Sequence, residues 1–262
     1  MTVVVSIVLS CLLMVGFFFA IWEWARRIDN YALVDVGWAF GIGLTGLFWL
    51  LQSNGKPRHW VAAVMLAFWS FRLGGYLAKR VWKQHPREDS RYENLREIWK
   101  GKVPSSFFWF FQVQAVSVVV LAMPFLVIAR DHSASLGRFE MLGVVVWLLG
   151  ILGEGIADAQ MSRFKAKNGS PSAVCEEGFW KYSRHPNYFF ESLVWAGFYL
   201  FACGSQWGWV SIHAPAIIVY LLLFVTGIPP AEKAALQRKG DAYRRYQKTT
   251  SPFIPLPRRG VS

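Results

Sequence analysis

Cysteine is scarce. Only Cys11, Cys175 and Cys203 occur, and their spacing suits neither a disulfide framework nor a metal site. Cys11 and Cys203 lie in apolar runs, where cysteine behaves as a small hydrophobe. Neither a redox role nor a zinc site is therefore expected of the cysteines. The usual nucleotide and nucleophile loops are also missing. No G-x-G-x-x-G follows a strand, and there is no P-loop, no G-x-S-x-G and no H-E-x-x-H. A Rossmann mode of binding is excluded, so any nucleotide must be held by helix ends and loops. Acidic residues are few, 16 Asp and Glu against 28 Lys and Arg, which leaves a net charge of +12. That surplus can mark a nucleic-acid surface. Here it accompanies apolar runs of membrane-spanning length, and in membrane proteins excess Lys and Arg marks cytoplasmic loops. No nucleic-acid partner is expected.

What the chain has in quantity is apolar surface. Of 262 residues 54% are hydrophobic, with 14 Trp and 21 Phe, too much for an ordinary soluble domain. Seven apolar runs stand out, at 1–22, 33–51, 59–78, 106–129, 139–157, 187–204 and 209–228, each of membrane-spanning length. The expected fold class is all-α: a single integral membrane domain over 1–262 with seven transmembrane helices and a basic tail at 229–262. No basic residue precedes the first run and no small-residue cleavage site follows it, so it reads as a membrane helix rather than a signal peptide. Gly37 and Gly41, four apart, suit close helix contact, and Gly150, Gly153 and Gly155 are expected packing points. Mixed charges over 87–96 suggest a short surface helix. The segments 23–32, 79–105, 158–186 and 229–262 carry 23 of the 28 Lys and Arg; the opposite loops carry only Lys56, Arg58, Arg130 and Arg138. This bias places the N-terminus outside and the C-terminus in the cytoplasm.

Four groups of residues carry chemistry. Residues 176–191 are polar, basic and aromatic at once. Pro186 pushes His185 out of the helical region, which leaves Asn187 as a helix N-cap with Glu191 one turn on. Helix N-termini attract anions. Trp180 and Tyr182 can stack on planar rings, Arg184 can bind phosphate bidentately, and His185 and Asn187 can bind amide or ribose groups. The bland alternative is a basic loop with an ordinary Pro-Asn helix start. Glu154, Asp158, Met161 and Lys165 share one face of the fifth helix. A solvated helix end explains that spacing, but a carboxylate one turn inside an apolar helix is costly unless it is paired or functional. Asp35 and Arg72 lie within apolar runs and either neutralise each other or line a substrate pocket and hold a cofactor phosphate. The tail, with Glu232, Lys233, Tyr243, Arg245 and Tyr246, is either a basic amphipathic helix on anionic lipid or the second wall of a cofactor site.

These residues carry a resemblance. The run Tyr182-Ser183-Arg184-His185-Pro186-Asn187-Tyr188 with Glu191, preceded by Ala157-Asp158-x-Gln160 and Phe164-Lys165, resembles the steroid 5-alpha-reductase C-terminal family. The similarity is closest to its bacterial branch, described as a domain of unknown function. Gly227-Ile228-Pro229, Glu232, Tyr243, Tyr246, Phe253, Asp35-x-x-Trp38 and Glu88-Asp89-x-Arg91-Tyr92 fit that branch too, so the likeness covers residues 30–255. The Arg-His-Pro-x-Tyr core alone is shared with sterol C14/C24 reductases and isoprenylcysteine carboxyl methyltransferases. The resemblance implies a membrane oxidoreductase that uses NADPH to reduce a carbon–carbon double bond conjugated to a ketone in a steroid-like or isoprenoid lipid. It implies a cofactor site containing Asp158, Lys165, Asn187, Glu191 and Arg72. With the residues read above, the full set is Arg72, Arg91, Glu154, Asp158, Lys165, Tyr182, Arg184, His185, Asn187, Tyr188, Glu191, Tyr243, Arg245 and Tyr246. Asp35 falls near a glutamate that binds the substrate ketone in the steroid enzymes. The tyrosine expected three residues before the third-helix arginine is Trp69, which donates only through its indole N–H and is no acid. Either another group, Tyr92 or Tyr76, serves as the acid, or the substrate is not a 3-keto steroid; the catalytic pair expected is Asp35 with Tyr92. The competing reading is an S-adenosylmethionine-dependent membrane methyltransferase. Arg72, Arg91, Lys165, Arg184 and Arg245 suit pyrophosphate and 2′-phosphate better than that cofactor's single carboxylate.

Overall fold

The computed structural model describes residues 1–133, 135–168, 170 and 172–258. It is helical, with no strand among the described residues beyond an isolated bridge between Ser183 and Ser251. The helices are α1 (Val3–Arg27), α2 (Leu33–Leu51), α3 (Pro57–Gln84), α4 (Ser90–Ile98), α5 (Val103–Arg130), α6 (Arg138–Lys167), α7 (Pro186–Cys203), α8 (His213–Tyr220) and α9 (Ile228–Thr249). The surface helix expected within 87–96 is α4, capped by the Asp89 carboxylate, which accepts from Arg91 N at 3.0 Å.

Six stretches are long and apolar enough to cross a membrane: Val3–Arg27, Leu33–Leu51, Pro57–Gln84, Val103–Arg130, Arg138–Lys167 and Gly208–Thr249. By length and composition the chain is a membrane protein. The sixth sequence run, now α7, does not join this set, because its first turns carry Asn187, Glu191 and Ser192. The last stretch is not one continuous membrane helix. A 3-10 turn (Gly208–Ile212), α8 and a π turn (Leu221–Val225) come first, and the backbone then breaks at Gly227 (φ −95°, ψ −95°). An added Cβ at Gly227 would meet Leu222 O at 2.4 Å. Beyond Pro229 and Pro230, α9 is polar, so the apolar half of the stretch ends at this break.

The chain forms two compact units, Met1–Gly137 with Ala202–Ala214, and Arg138–Phe201 with Pro215–Ser262. In the first unit α2 packs on α1, α3 and α5 and is the most enclosed helix. Its glycines make that possible: Gly41 lies against Val118 and Phe18, Gly43 against Ser70, and Gly46 against Leu66 and Phe125. Exposed Trp24 and Trp82 meet edge to face at 6.0 Å, and Trp109, Trp207 and Trp209 are also exposed, as in the aromatic belts of membrane proteins. In the second unit α6 and α7 approach closely through Gly143, Gly150 and Gly153 on one side and Gly197 on the other. A Cβ at Gly150 would meet Val194 N at 2.7 Å. Gly155, expected to pack as well, faces open space.

One ion pair ties three loops of the first unit. Arg58, with 0% of its side chain exposed, binds Asp131 Oδ1 from Nη1 at 2.8 Å. It also donates to Ser205 Oγ at 2.7 Å and to Ser133. Asp131 Oδ2 accepts from Gln206 N at 3.0 Å, and the His59 ring contacts Asp131 O at 3.1 Å. Removing one partner of a buried pair leaves the other uncompensated. Arg58→Met should therefore lower stability by about 3 kcal/mol, read as the unfolding free energy in detergent.

Candidate functional site

In the first unit, the start of α2 and the start of α4 build a polar cluster. Asp35 lies in the first turn of α2, where a carboxylate complements the helix dipole. Tyr92 OH donates to its Oδ1 at 2.6 Å, and Arg91 Nη2 donates to its Oδ2 at 2.6 Å. Arg91 is itself oriented by Asp89, through Nε to Oδ1 at 3.0 Å, and Asp89 also pairs with Arg80 of α3. Beside this chain, Glu88 accepts from Arg96 Nε at 2.6 Å and from Tyr31 N. Arg96 caps the Tyr31 ring at 4.7 Å, and Tyr31 stacks on Phe107 at 3.8 Å. Tyr92 is only 3% exposed, against Phe107 and Phe110.

These contacts set the protonation states. Burial, then the Asp35 carboxylate, push the Tyr92 phenol well above its ordinary range, so it keeps its proton. Burial disfavours the Arg91 cation, but Asp35, Tyr92 and Asp89 outweigh it and hold the pKa above normal. Burial raises Asp89, and hydrogen bonds from Arg91 more than reverse this, so its pKa is lowered. The cluster is a neutral phenol, a cation and carboxylates held at fixed distances.

The two residues singled out as catalytic from sequence, Asp35 and Tyr92, are thus in direct contact. Arg91, expected on a cofactor, is occupied by Asp35 and Asp89 instead. Asp35 pairs with Arg91 rather than with Arg72. Arg72 lies on α3, one turn beyond Trp69, which is fully buried edge to face with Trp38 at 6.4 Å. Tyr76, the other acid considered, is exposed.

In the second unit, residues 178–188, α9 and the segment after it form a knot. Gly178 opens it with φ +57°, a conformation that favours glycine, and an added Cβ would meet the Gln160 amide at 2.3 Å. Gln160 Oε1 accepts from Phe179 N at 2.9 Å, and Trp180 Nε1 donates to Ala157 O at 2.9 Å, which ties the loop to α6. Glu232 is the centre. Its Oε1 accepts from Arg184 Nε at 2.6 Å and contacts His185 Nε2 and Tyr243 OH at 3.3 Å each. Its Oε2 accepts from Gln247 Nε2 at 2.6 Å. Burial raises Glu232, but the bonds from His185, Arg184 and Gln247 prevail and hold its pKa at about 2. Arg184 Nη1 donates to Gln247 O at 3.0 Å and Thr250 O at 2.6 Å. Arg184 N donates to Ser251 O, Ser183 Oγ to Phe253 O, and Leu256 N to Tyr182 O, so residues 250–256 run along the loop.

The knot gives several expected cofactor residues internal partners. Arg184, His185 and Tyr243 converge on Glu232, while Tyr246 donates to Trp180 O and Ser183 O. Sequence reasoning named Glu232 only as part of the tail; it lies 48 residues from Arg184, and no local spacing signals the pairing. The N-cap expectation for Asn187 is corrected. Pro186 itself opens α7, because its fixed φ suits the first helical position and its missing N–H is no loss there. Asn187 Oδ1 is buried with no hydrogen-bond partner among the described residues. Tyr188 stacks on His185 at 5.3 Å, and Glu191 Oε1 accepts from Trp195 Nε1 at 2.9 Å. Along α6, Glu154 is buried, Asp158 half-buried and Lys165 exposed, a gradient out of the apolar part of the helix. Tyr182 and Arg245 are exposed.

A family model described as "Protein of unknown function (DUF1295)" matches residues 21–250. Among curated proteins, the chain is similar to the "Uncharacterized protein C594.04c" of Schizosaccharomyces pombe. The two are 23% identical over 260 residues, which cover 90% of this chain and 75% of that protein. No solved structure matches the chain.

Proposed function

The chain belongs to the family described as Protein of unknown function (DUF1295), and we propose that it is an NADPH-dependent membrane reductase. Its substrate is a carbon–carbon double bond conjugated to a ketone in a steroid-like or isoprenoid lipid. It crosses the membrane seven times, with the N-terminus outside, the C-terminus cytoplasmic and the cofactor bound from the cytoplasm. The observation that carries this reading is the 2.6 Å hydrogen bond from Tyr92 to Asp35, beside Arg91. Reducing such a double bond builds negative charge on the ketone oxygen. Substrate binding would turn the single Tyr92 O–H from Asp35 to that oxygen, and the adjacent guanidinium stabilises the charge. Asp35 orients the phenol and holds Arg91 in place. NADPH, when bound, supplies the hydride.

The residues of the second unit fit such a cofactor. The orphan Oδ1 of Asn187 suits an amide, the exposed Tyr182 ring offers a stacking surface, and Lys165 offers a cation to phosphate. One observation favours the methyltransferase alternative: Arg184, counted as a phosphate ligand, is occupied by Glu232 and two carbonyls. Ligand-induced stabilisation separates the two. NADPH at about a hundred times its Kd should stabilise the detergent-purified protein by about 2.7 kcal/mol, seen as a rise in Tm. A rise with S-adenosylmethionine and none with NADPH would sink the reductase reading.

A further inference from the structure

We propose that His213 is a latch on α5: its imidazole supplies the hydrogen bond that Pro124 denies to Val120 O, and so fixes a hinge built into that helix. Pro124 lies inside α5 and is buried. Proline has no N–H, so the bond that residue 124 of a regular helix donates to the carbonyl of residue 120 does not form, and the ring crowds that carbonyl. α5 is long and apolar enough to cross a membrane, and between Val103 and Ala129 it has no ionisable side chain. A backbone carbonyl left bare in such surroundings is costly, and a neighbouring segment must satisfy it. The replacement donor stands 93 residues away: His213 Nε2 lies 3.0 Å from Val120 O. A carbonyl oxygen only accepts, so the ring nitrogen donates.

His213 is half-buried, opens α8 and follows the 3-10 turn Gly208–Ile212, which packs on α5. Its Nδ1 lies 3.0 Å from Val210 O, one turn back. An ordinary capping histidine would serve only that turn. A neutral imidazole has one N–H, and the two carbonyls compete for it. The residue four beyond Val210 is Ala214, which has a backbone N–H to give; the residue four beyond Val120 is the proline. Val120 is therefore where the ring hydrogen is needed. The hinge divides α5 into two parts with separate anchors. Beyond it, Arg130 donates to Met1 O at 2.7 Å and to Ser6 Oγ at 2.9 Å, and Asp131 follows with its Arg58 pair. Before it, Phe107 and Phe110 pack on Tyr92, and Ser117 Oγ accepts from Trp38 Nε1 at 3.2 Å. Prolines are where helices bend, so without the latch the part that holds Tyr92 is free to swing against the anchored end. That His213 positions Tyr92 through α5 rests on the reductase reading; the latch itself does not.

The test is a double-mutant cycle on the full-length protein in detergent. His213→Leu should lower Tm by about 3 °C in the wild-type background, but by less than about 1 °C beside Pro124→Ala, where residue 124 regains an N–H for Val120 O. His213→Gln keeps a side-chain N–H donor and should retain most of the wild-type Tm. The carbonyl 13C resonance of Val120 should move in His213→Leu, which reads the bond even where Pro124→Ala fails to fold. Equal Tm losses in both backgrounds report packing alone and overturn the latch, as does a Val120 resonance that His213→Leu leaves in place. In nanodiscs with NADPH and an enone lipid, His213→Leu should lower kcat about tenfold with the KM for NADPH unchanged, and adding Pro124→Ala should restore it. Coupled Tm values with an unmoved kcat support the latch and remove its tie to Tyr92. Coupled Tm values in a wild-type protein that turns over no enone support the latch and count against the reductase reading alone.

Discussion

Tyr92→Phe is expected to lower turnover of an enone lipid by about a hundredfold or more, with NADPH affinity unchanged. The substitution keeps the ring against Phe107 and Phe110 and removes one oxygen. What disappears is the phenol O–H that Asp35 holds, and with it the proton that would turn to the ketone oxygen. Asp35 retains Arg91 at 2.6 Å, so the carboxylate is not stranded and the fold survives. A purely structural role for Tyr92 would appear as a lower Tm with kcat unchanged. Asp35→Asn should fall between wild type and Tyr92→Phe, because an amide oxygen still accepts from Tyr92 while Arg91 loses its countercharge.

Glu232→Gln should cost about 3 kcal/mol of stability, the penalty of leaving the nearly buried Arg184 cation without its carboxylate. The pH dependence follows from the lowered pKa. Glu232 titrates at about 2 in the fold and at 4.5 ordinarily. The unfolded chain therefore takes up the proton first as pH falls. The stabilisation is fully present above pH 4.5 and disappears as pH drops towards 2. Unfolding midpoints of wild type and Glu232→Gln should converge over that window. A constant gap across it would mean that the knot does not depend on the carboxylate charge.

The sequence showed the helices well because apolar runs report their own length. It showed the break at Gly227 poorly. The run 209–228 is continuous in composition, and only the backbone reveals the turn, the short helix and the π turn inside it. Residues 176–191 were legible as a site by density of chemistry, yet their partners were not. Arg184 matches a phosphate ligand in type, but its carboxylate stands in a basic tail far along the chain. Asp35 and Tyr92 were chosen on separate grounds and meet across 57 residues, because the Asp89 cap orients α4 over the start of α2.

The most direct test of the central claim is transfer of label from NADPH carrying tritium at the hydride position. The protein is reconstituted in nanodiscs with enone steroids and isoprenoid enones. Label in the reduced lipid, lost in Tyr92→Phe while NADPH still binds, is the result expected. Label transfer that is undiminished in both Tyr92→Phe and Asp35→Asn would contradict the account.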